Sequence, residues 1–262
     1  MGHREIYSNP PLALTVVELR HTASPPLSEA DKAGLKSLLA STFPIYKPAQ
    51  QVSITVTNAG ASEDRAVFPR YMTRDFTESI SFRDNAIVVE TTRYKRRSAL
   101  RELLHQAVEA RQKVSPVDGV ERLGIRYVNE VRVPDLEHAT DWQRWISAPL
   151  TSIAGLHTDD VAAQTWQGVT VFGTAAAGVV LRHGNFEGYA VEPGGDLRRQ
   201  TPPLGPFYLL DLDSYWVPEG GVPQLNWASI EDRFNAVGLS AYELFQQLIT
   251  DDYRTEVLKR EQ

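Results

Sequence analysis

A chain of 262 residues with 42% hydrophobic and 23% charged side chains has the length and composition of a soluble globular protein able to bury a sizeable core. Its net charge of −6 weakens the case for a dedicated nucleic-acid binder, which needs surplus Lys and Arg against phosphate. The absence of cysteine excludes disulfides, thiolate metal sites and cysteine nucleophiles. No apolar run approaches the roughly 18 residues of a membrane span, and MGHREIYSNPPLALT at the N-terminus has no apolar signal core. A cytoplasmic location is therefore expected.

Taken in chain order, YSNPPL (7–12) leads extended into the first element, because residues before proline avoid the helical region. A strand rich in Val and Leu follows at 12–21. A helix starts at Ser28 with Asp31 as its capping-box partner, buries Leu35, Leu38, Leu39 and Phe43, and stops at Pro44. β-type runs near 50–57, 74–83 and 86–94 precede a helix from Ser98 carrying Leu100, Leu103, Leu104 and Ala107. Residues 114–120 form the joint to a second half. That half opens with ERLGIRYVNEVRV (121–133) and a short helix near 141–147 with Trp142 and Trp145. Strands are expected at 164–173, 178–186 and 207–216, with VEPGGDLRRQTPPLGP (191–206) as a long mobile loop. Two helices close the chain: one capped by Ser229 and Asp232 and ended by Gly238, the other capped by Ser240 and Glu243.

The halves echo one another. VVELR (16–20) resembles VNEVR (128–132), SITVT (53–57) resembles GVTVF (168–172), IVVETTRY (87–94) resembles YLLDLDSY (208–215), and SALRELLHQ (98–106) resembles SAYELFQQ (240–247), all in the same order. The fold class expected is α+β: two pseudo-repeated β-α-β-β-β-α units, mostly antiparallel, with helices on one face. The halves are 1–117 and 118–262, either as separate units or on one continuous sheet.

Charge is concentrated. Residues 93–132 carry ten basic and five acidic side chains, leaving the window at +5 in a chain of −6. Within it, period-2 geometry sends Leu123, Ile125, Tyr127, Asn129, Val131 and Val133 to one face and Arg122, Gly124, Arg126, Val128, Glu130 and Arg132 to the other. The arginine face suits an anion-binding strip, since guanidinium forks match carboxylate and phosphate. The plainer reading, a face on which Glu130 neutralises its neighbours, is favoured. Arg96 and Arg97 in RYKRRSALR precede a helix N-terminus, where cations gain nothing from the dipole and so invite an acidic partner; a solvated loop is the ordinary alternative. Asp211 and Asp213 share a strand face and His157 neighbours Asp159 and Asp160, but no complete metal or catalytic signature accompanies them. Neither a phosphate-binding glycine motif nor a nucleophile elbow occurs.

Three segments carry a resemblance to a known family: YSNPPLALTVVELR, then ERLGIRYVNEVRV with its Arg122-x-Gly124-Ile125-Arg126-Tyr127-Val128-Asn129 motif, and YELFQQLITDDYRTEVL. Through them the whole chain resembles a sporadically distributed family of uncharacterised bacterial and archaeal proteins of about this length. The resemblance implies an accessory or defence-linked role, such as an antitoxin-like subunit, and implies no catalytic residues. The function expected is a non-enzymatic module that binds a protein partner through the basic 93–132 region, with Arg96, Arg97, Arg122, Arg126, Asn129 and Arg132 as the candidate site. Nucleic acid or a phosphorylated ligand across the arginine face comes second. An enzyme using Asp211, Asp213 and His157 is least favoured. No cofactor, metal or membrane contact is expected, and homo-oligomerisation is left open.

Overall fold

The computed structural model describes residues 7–57, 60–158 and 161–259. The alternation read at 12–21 becomes β1 (Leu12–His21), which buries Ala13, Thr15, Val17, Leu19 and His21 on one face. Ser28 then opens α1 (Glu29–Leu39) through a complete capping box, its Oγ accepting from Asp31 N and the Asp31 carboxylate accepting from Ser28 N. Leu35, Leu39 and Phe43 are buried, whereas Leu38 is exposed because it lies off that stripe. The short β2 (Ile45–Tyr46) leads to β3 (Ala49–Thr57) and β4 (Gly60–Phe68), followed by β5 (Arg70–Met72), β6 (Glu78–Phe82), β7 (Ala86–Thr91) and α2 (Arg97–Val114). The second half contains β8 (Val120–Val131), α3 (Ala148–Thr151), β9 (His157–Thr158), β10 (Val161–Ala162), β11 (Gln167–Gly173), β12 (Ala177–Gly188), β13 (Gly205–Trp216) and α4 (Trp227–Leu248).

Nine strands form one antiparallel sheet in the order β11-β12-β13-β8-β1-β7-β6-β5-β2. The sheet passes across the joint at 114–120, because β1 pairs with β8 from Leu12↔Asn129 to His21↔Val120. Outward from that central pair the two wings have the same order: β1, β7, β6, β5 on one side and β8, β13, β12, β11 on the other. The helices pack on one face. There Val17, Leu19, Ile87, Val89, Leu123 and Ile125 meet α1, α2 and α4, while Leu181, Leu210 and Leu212 meet Trp142, Trp145, Trp166 and Ile249.

Several expectations are corrected. SITVT and GVTVF do not hold corresponding places: β3 pairs only with β4 in a separate hairpin, whereas β11 is an edge of the main sheet. The partner strand β4 was hidden by the polar run Ser62–Arg65, which a hairpin's main-chain bonds tolerate. The helix near 141–147 is a 3-10 segment, Ala139–Arg144, anchored by buried Trp142 and Trp145. The two closing helices are one. Asn226 caps α4 through its side chain, Gly238 lies inside it, and Ser240 Oγ donates back to Ala236 O rather than capping a new start. The segment 189–204 is tied down: Asp196 pairs with Arg70 and Lys47, Arg198 N donates to Phe76 O at 2.8 Å, and Arg199 reaches Glu130 at 2.8 Å.

Candidate functional site

The pleat divides the candidate residues between the two faces of the sheet. On the face away from the helices, Arg126 grips Asp211 bidentately, Nε to Oδ1 and Nη2 to Oδ2, both at 2.7 Å. That hydrogen bonding raises the Arg126 pKa further above its ordinary value. Asp211 is 1% exposed and also lies 3.6 Å from Arg182. Arg122 donates to Asp213 at 3.0 and 3.1 Å and to Glu18 at 3.2 Å. Its guanidinium folds back over Gly124, where a Cβ would stand 2.2 Å from Nη1; glycine keeps that path open. Arg132 donates to Glu130 at 2.8 Å and to the carbonyl of Gly205 at 3.1 Å. Glu130, with a side chain only 3% exposed, holds Arg199 as well. Each β8 arginine thus faces a carboxylate, and the strip joins β1, β8, β12 and β13 to one another. An incoming anion would have to compete with these charge-assisted bonds.

Arg96, Arg97 and Asn129 converge on the other face. They line a cavity of about 270 Å³ between the N-terminal end of α2, the α4 face, β8 and the Pro10–Leu12 lead. Five segments that stand apart in sequence meet here: Tyr7 to Leu12, Tyr94 to Arg97, Tyr127 with Asn129, Leu212, and Gly238 to Gln246. The positions from α4, Gly238, Ala241, Tyr242 and Phe245, follow i, i+3, i+4, i+7 and so form one helical stripe. Tyr94 and Tyr127 meet edge to face, with centroids 6.0 Å apart. Gly238 leaves room for Arg97. A Cβ there would lie 3.1 Å from Arg97 Cδ, at the point where Arg97 Nη1 donates to Asn235 O at 3.1 Å and fastens α2 to α4.

Asn129 is 3% exposed, and its amide donates to Leu210 O at 2.8 Å and Tyr127 O at 3.3 Å, as a buried amide must. At the cavity's far end Gln246 Oε1 accepts from Tyr7 Oη at 2.8 Å. The Gln246 Nε2 is buried with no acceptor among the described residues. Lys95 and Arg96 are exposed at the rim. The lining therefore contains three cations, Lys95, Arg96 and Arg97, and no Asp or Glu. A lining of that kind accepts an apolar or aromatic body and an attached anion.

The catalytic alternative names Asp211, Asp213 and His157. Asp211 and Asp213 are both held by arginines on the open face. The side chain of His157, together with Asp159 and Asp160, lies outside the described residues. Among the described residues no group of three or more His, Cys, Asp or Glu could hold a metal ion. His183 sits in an inward-facing network: its Nδ1 meets Tyr208 Oη at 3.1 Å, and that hydroxyl also receives Trp166 Nε1 at 3.2 Å and donates to Leu150 O at 3.1 Å. Burial lowers the His183 pKa and pushes that of Tyr208 up to about 12. Also among the described residues, no helix is long and apolar enough to cross a membrane.

Of the residues named from sequence, Arg96, Arg97 and Asn129 line the cavity, and Tyr7, Lys95, Tyr94, Tyr242 and Gln246, which also line it, were not named. The available signal was the α4 stripe, which splitting that helix at Gly238 concealed. In comparison with known proteins, no protein-family model matches the chain and no curated protein matches it.

Proposed function

We propose that this protein is a non-enzymatic, cytoplasmic binding module that engages a protein partner at the seam between α2 and α4, in an accessory or antitoxin-like role. The observation that supports it is the lining itself: three cations and no carboxylate around an aromatic cavity, in a chain whose net charge is −6. At about 270 Å³ the cavity falls below the roughly 300–1,000 Å³ of sites for drug-sized ligands. Its size suits one inserted side chain from a larger partner. Aromatic anchors of that kind dominate interface energetics, and an acidic neighbour on the partner would meet Lys95 and Arg96.

Nucleic acid or a phosphorylated ligand across the sheet is less well supported. Arg122, Arg126 and Arg132 would each have to exchange an existing carboxylate for the new anion.

The test is capture of partners from the native host by wild type and by Lys95→Glu/Arg96→Glu, two exposed positions. Arg97 is left intact because it fastens α4. Loss of a partner that wild type retains, with unchanged thermal stability, supports the reading. Retention of every partner by the variant overturns it.

A further inference from the structure

We propose that the free edge of β11 is a self-pairing surface, on which two copies of this chain join as a two-fold symmetric, antiparallel extension of the sheet. β11 bonds β12 on one side and has no strand on the other among the described residues. The opposite edge of the sheet is guarded. There β2 is two residues long and is flanked by Pro44, Lys47 and Pro48, the devices by which natural sheets block edge pairing.

The β11 edge has none of these. From Val161 to Leu181 the chain contains no charged residue and no proline, although 23% of the whole is charged. Among the described residues, six of the twelve exposed large apolar side chains lie between Ile153 and Phe172, including Val169 at 67%, Val171 at 61% and Phe172 at 41%. An exposed, neutral, apolar strand of this kind is a template for another strand.

The strand is complementary to its own copy. Val169 and Val171 flank Thr170 symmetrically, and Gly168 and Phe172, one small and one large, stand equidistant from it. Thr174 N donates to Ala177 O at 2.8 Å. Antiparallel alternation then turns Phe172, Thr170 and Gly168 toward β12 and leaves the N–H and C=O of Val169 and Val171 pointing outward. With the two-fold axis at Thr170, Val169 of one copy exchanges both hydrogen bonds with Val171 of the other. Phe172 falls opposite Gly168, an aromatic covering a glycine. Thr170 meets Thr170 as a closely spaced, non-hydrogen-bonded pair. No charge lies opposite a charge, and an apolar strip with nothing to select a different partner has the character of a homodimer interface. Seven residues span only about 23 Å, so the buried area falls short of the roughly 1,200–2,000 Å² of a stable interface. The dimer is therefore expected to depend on concentration.

The lack of native cysteine makes the register directly readable. Thr170→Cys is expected to form a disulfide-linked dimer under mild oxidation, because its counterpart stands about 4.5 Å away between Cα atoms. Val169→Cys alone is expected to stay unlinked, since its own copy lies diagonally some 7–8 Å off. The pair Val169→Cys with Val171→Cys should link again. By sedimentation, the unmodified protein should move from monomer to dimer as concentration rises, and Val171→Lys should shift that transition by about tenfold or more, consistent with charge as an edge blocker. Circular dichroism confirms that each variant is folded. A protein that stays monomeric at the highest soluble concentration, as it would if the edge served a different chain, overturns the proposal. Equal cross-linking of Thr170→Cys and Val169→Cys does so as well.

Discussion

The two faces of β8 handle charge in opposite ways. On the open face Arg122, Arg126 and Arg132 are each neutralised by a carboxylate on the same or a neighbouring strand. On the helix face charge is largely kept out of the core, and Lys95 and Arg96 stand exposed at a cavity rim. One buried exception, Arg111, is held by neutral acceptors, Ser24 Oγ and the Ser115 carbonyl. Arginine count alone therefore says little: the β8 arginines are tied into the scaffold by carboxylates, whereas Arg96 stands exposed beside an apolar hollow.

The comparison breaks first if the open-face pairs prove dispensable. Glu130 is the most exacting case, because its removal strands Arg199, 7% exposed, together with Arg132. Glu130→Ala should cost about 3–5 kcal/mol, the range for breaking a buried pair, as read from denaturant midpoints at constant slope. Asp211→Asn should cost less. Its cationic neighbours Arg126 and Arg182 are 47% and 44% exposed and can turn to water, so about 1–3 kcal/mol is expected. If Asp211→Asn equals or exceeds Glu130→Ala, partner burial is not what ranks these pairs.

The helix side makes its own prediction, from pH. His21 is fully buried, and its Nδ1 donates to Thr22 O at 2.8 Å while Nε2 has no partner among the described residues. Burial lowers its pKa and outweighs the opposing Thr22 hydrogen bond; the Arg111 cation also lowers it, while Glu121 and Asp84 raise it. The folded state therefore keeps the ring neutral, while the unfolded chain takes up a proton near pH 6.5. Stability is present above that value and declines as pH falls below it. His183, also lowered by burial, adds to the same slope. Melting temperature should drop between pH of about 7.5 and about 5.5, and His21→Gln should flatten the drop. An unchanged slope would remove His21 as its source.

Much of this was legible in the sequence, and the limits were physical. Alternation marked β1, β8, β12 and β13, because long strands with one buried face print a period of two on the chain. The same period correctly separated Asn129 from Arg126. It carried no information about what stood opposite, and the Arg126–Asp211 pair joins residues 85 apart in sequence. Gly238 was read as a helix end because glycine commonly is one. Here it answers a crossing by Arg97, a long-range contact that local pattern does not record. The cavity was illegible for the same reason. Its tyrosines come from four separate segments, and only the folded chain brings them together.

The smallest expected effects separate two adjacent residues. Arg97 reaches across to α4, donating to Asn235 O and packing against Gly238. Arg97→Gln should therefore cost about 1 kcal/mol, the value of one such hydrogen bond. Arg96, exposed as the N-cap of α2, has no side-chain capping bond, and Arg96→Gln should change stability by no more than about 0.5 kcal/mol. Binding should rank them differently: loss of the Arg96 charge weakens a partner's acidic contact directly, and the protein remains as stable as before. Chemical denaturation of both variants, beside affinity for a captured partner, checks the assignment. Should Arg96→Gln destabilise as much as Arg97→Gln, the rim cation would belong to the scaffold like the arginines of the open face.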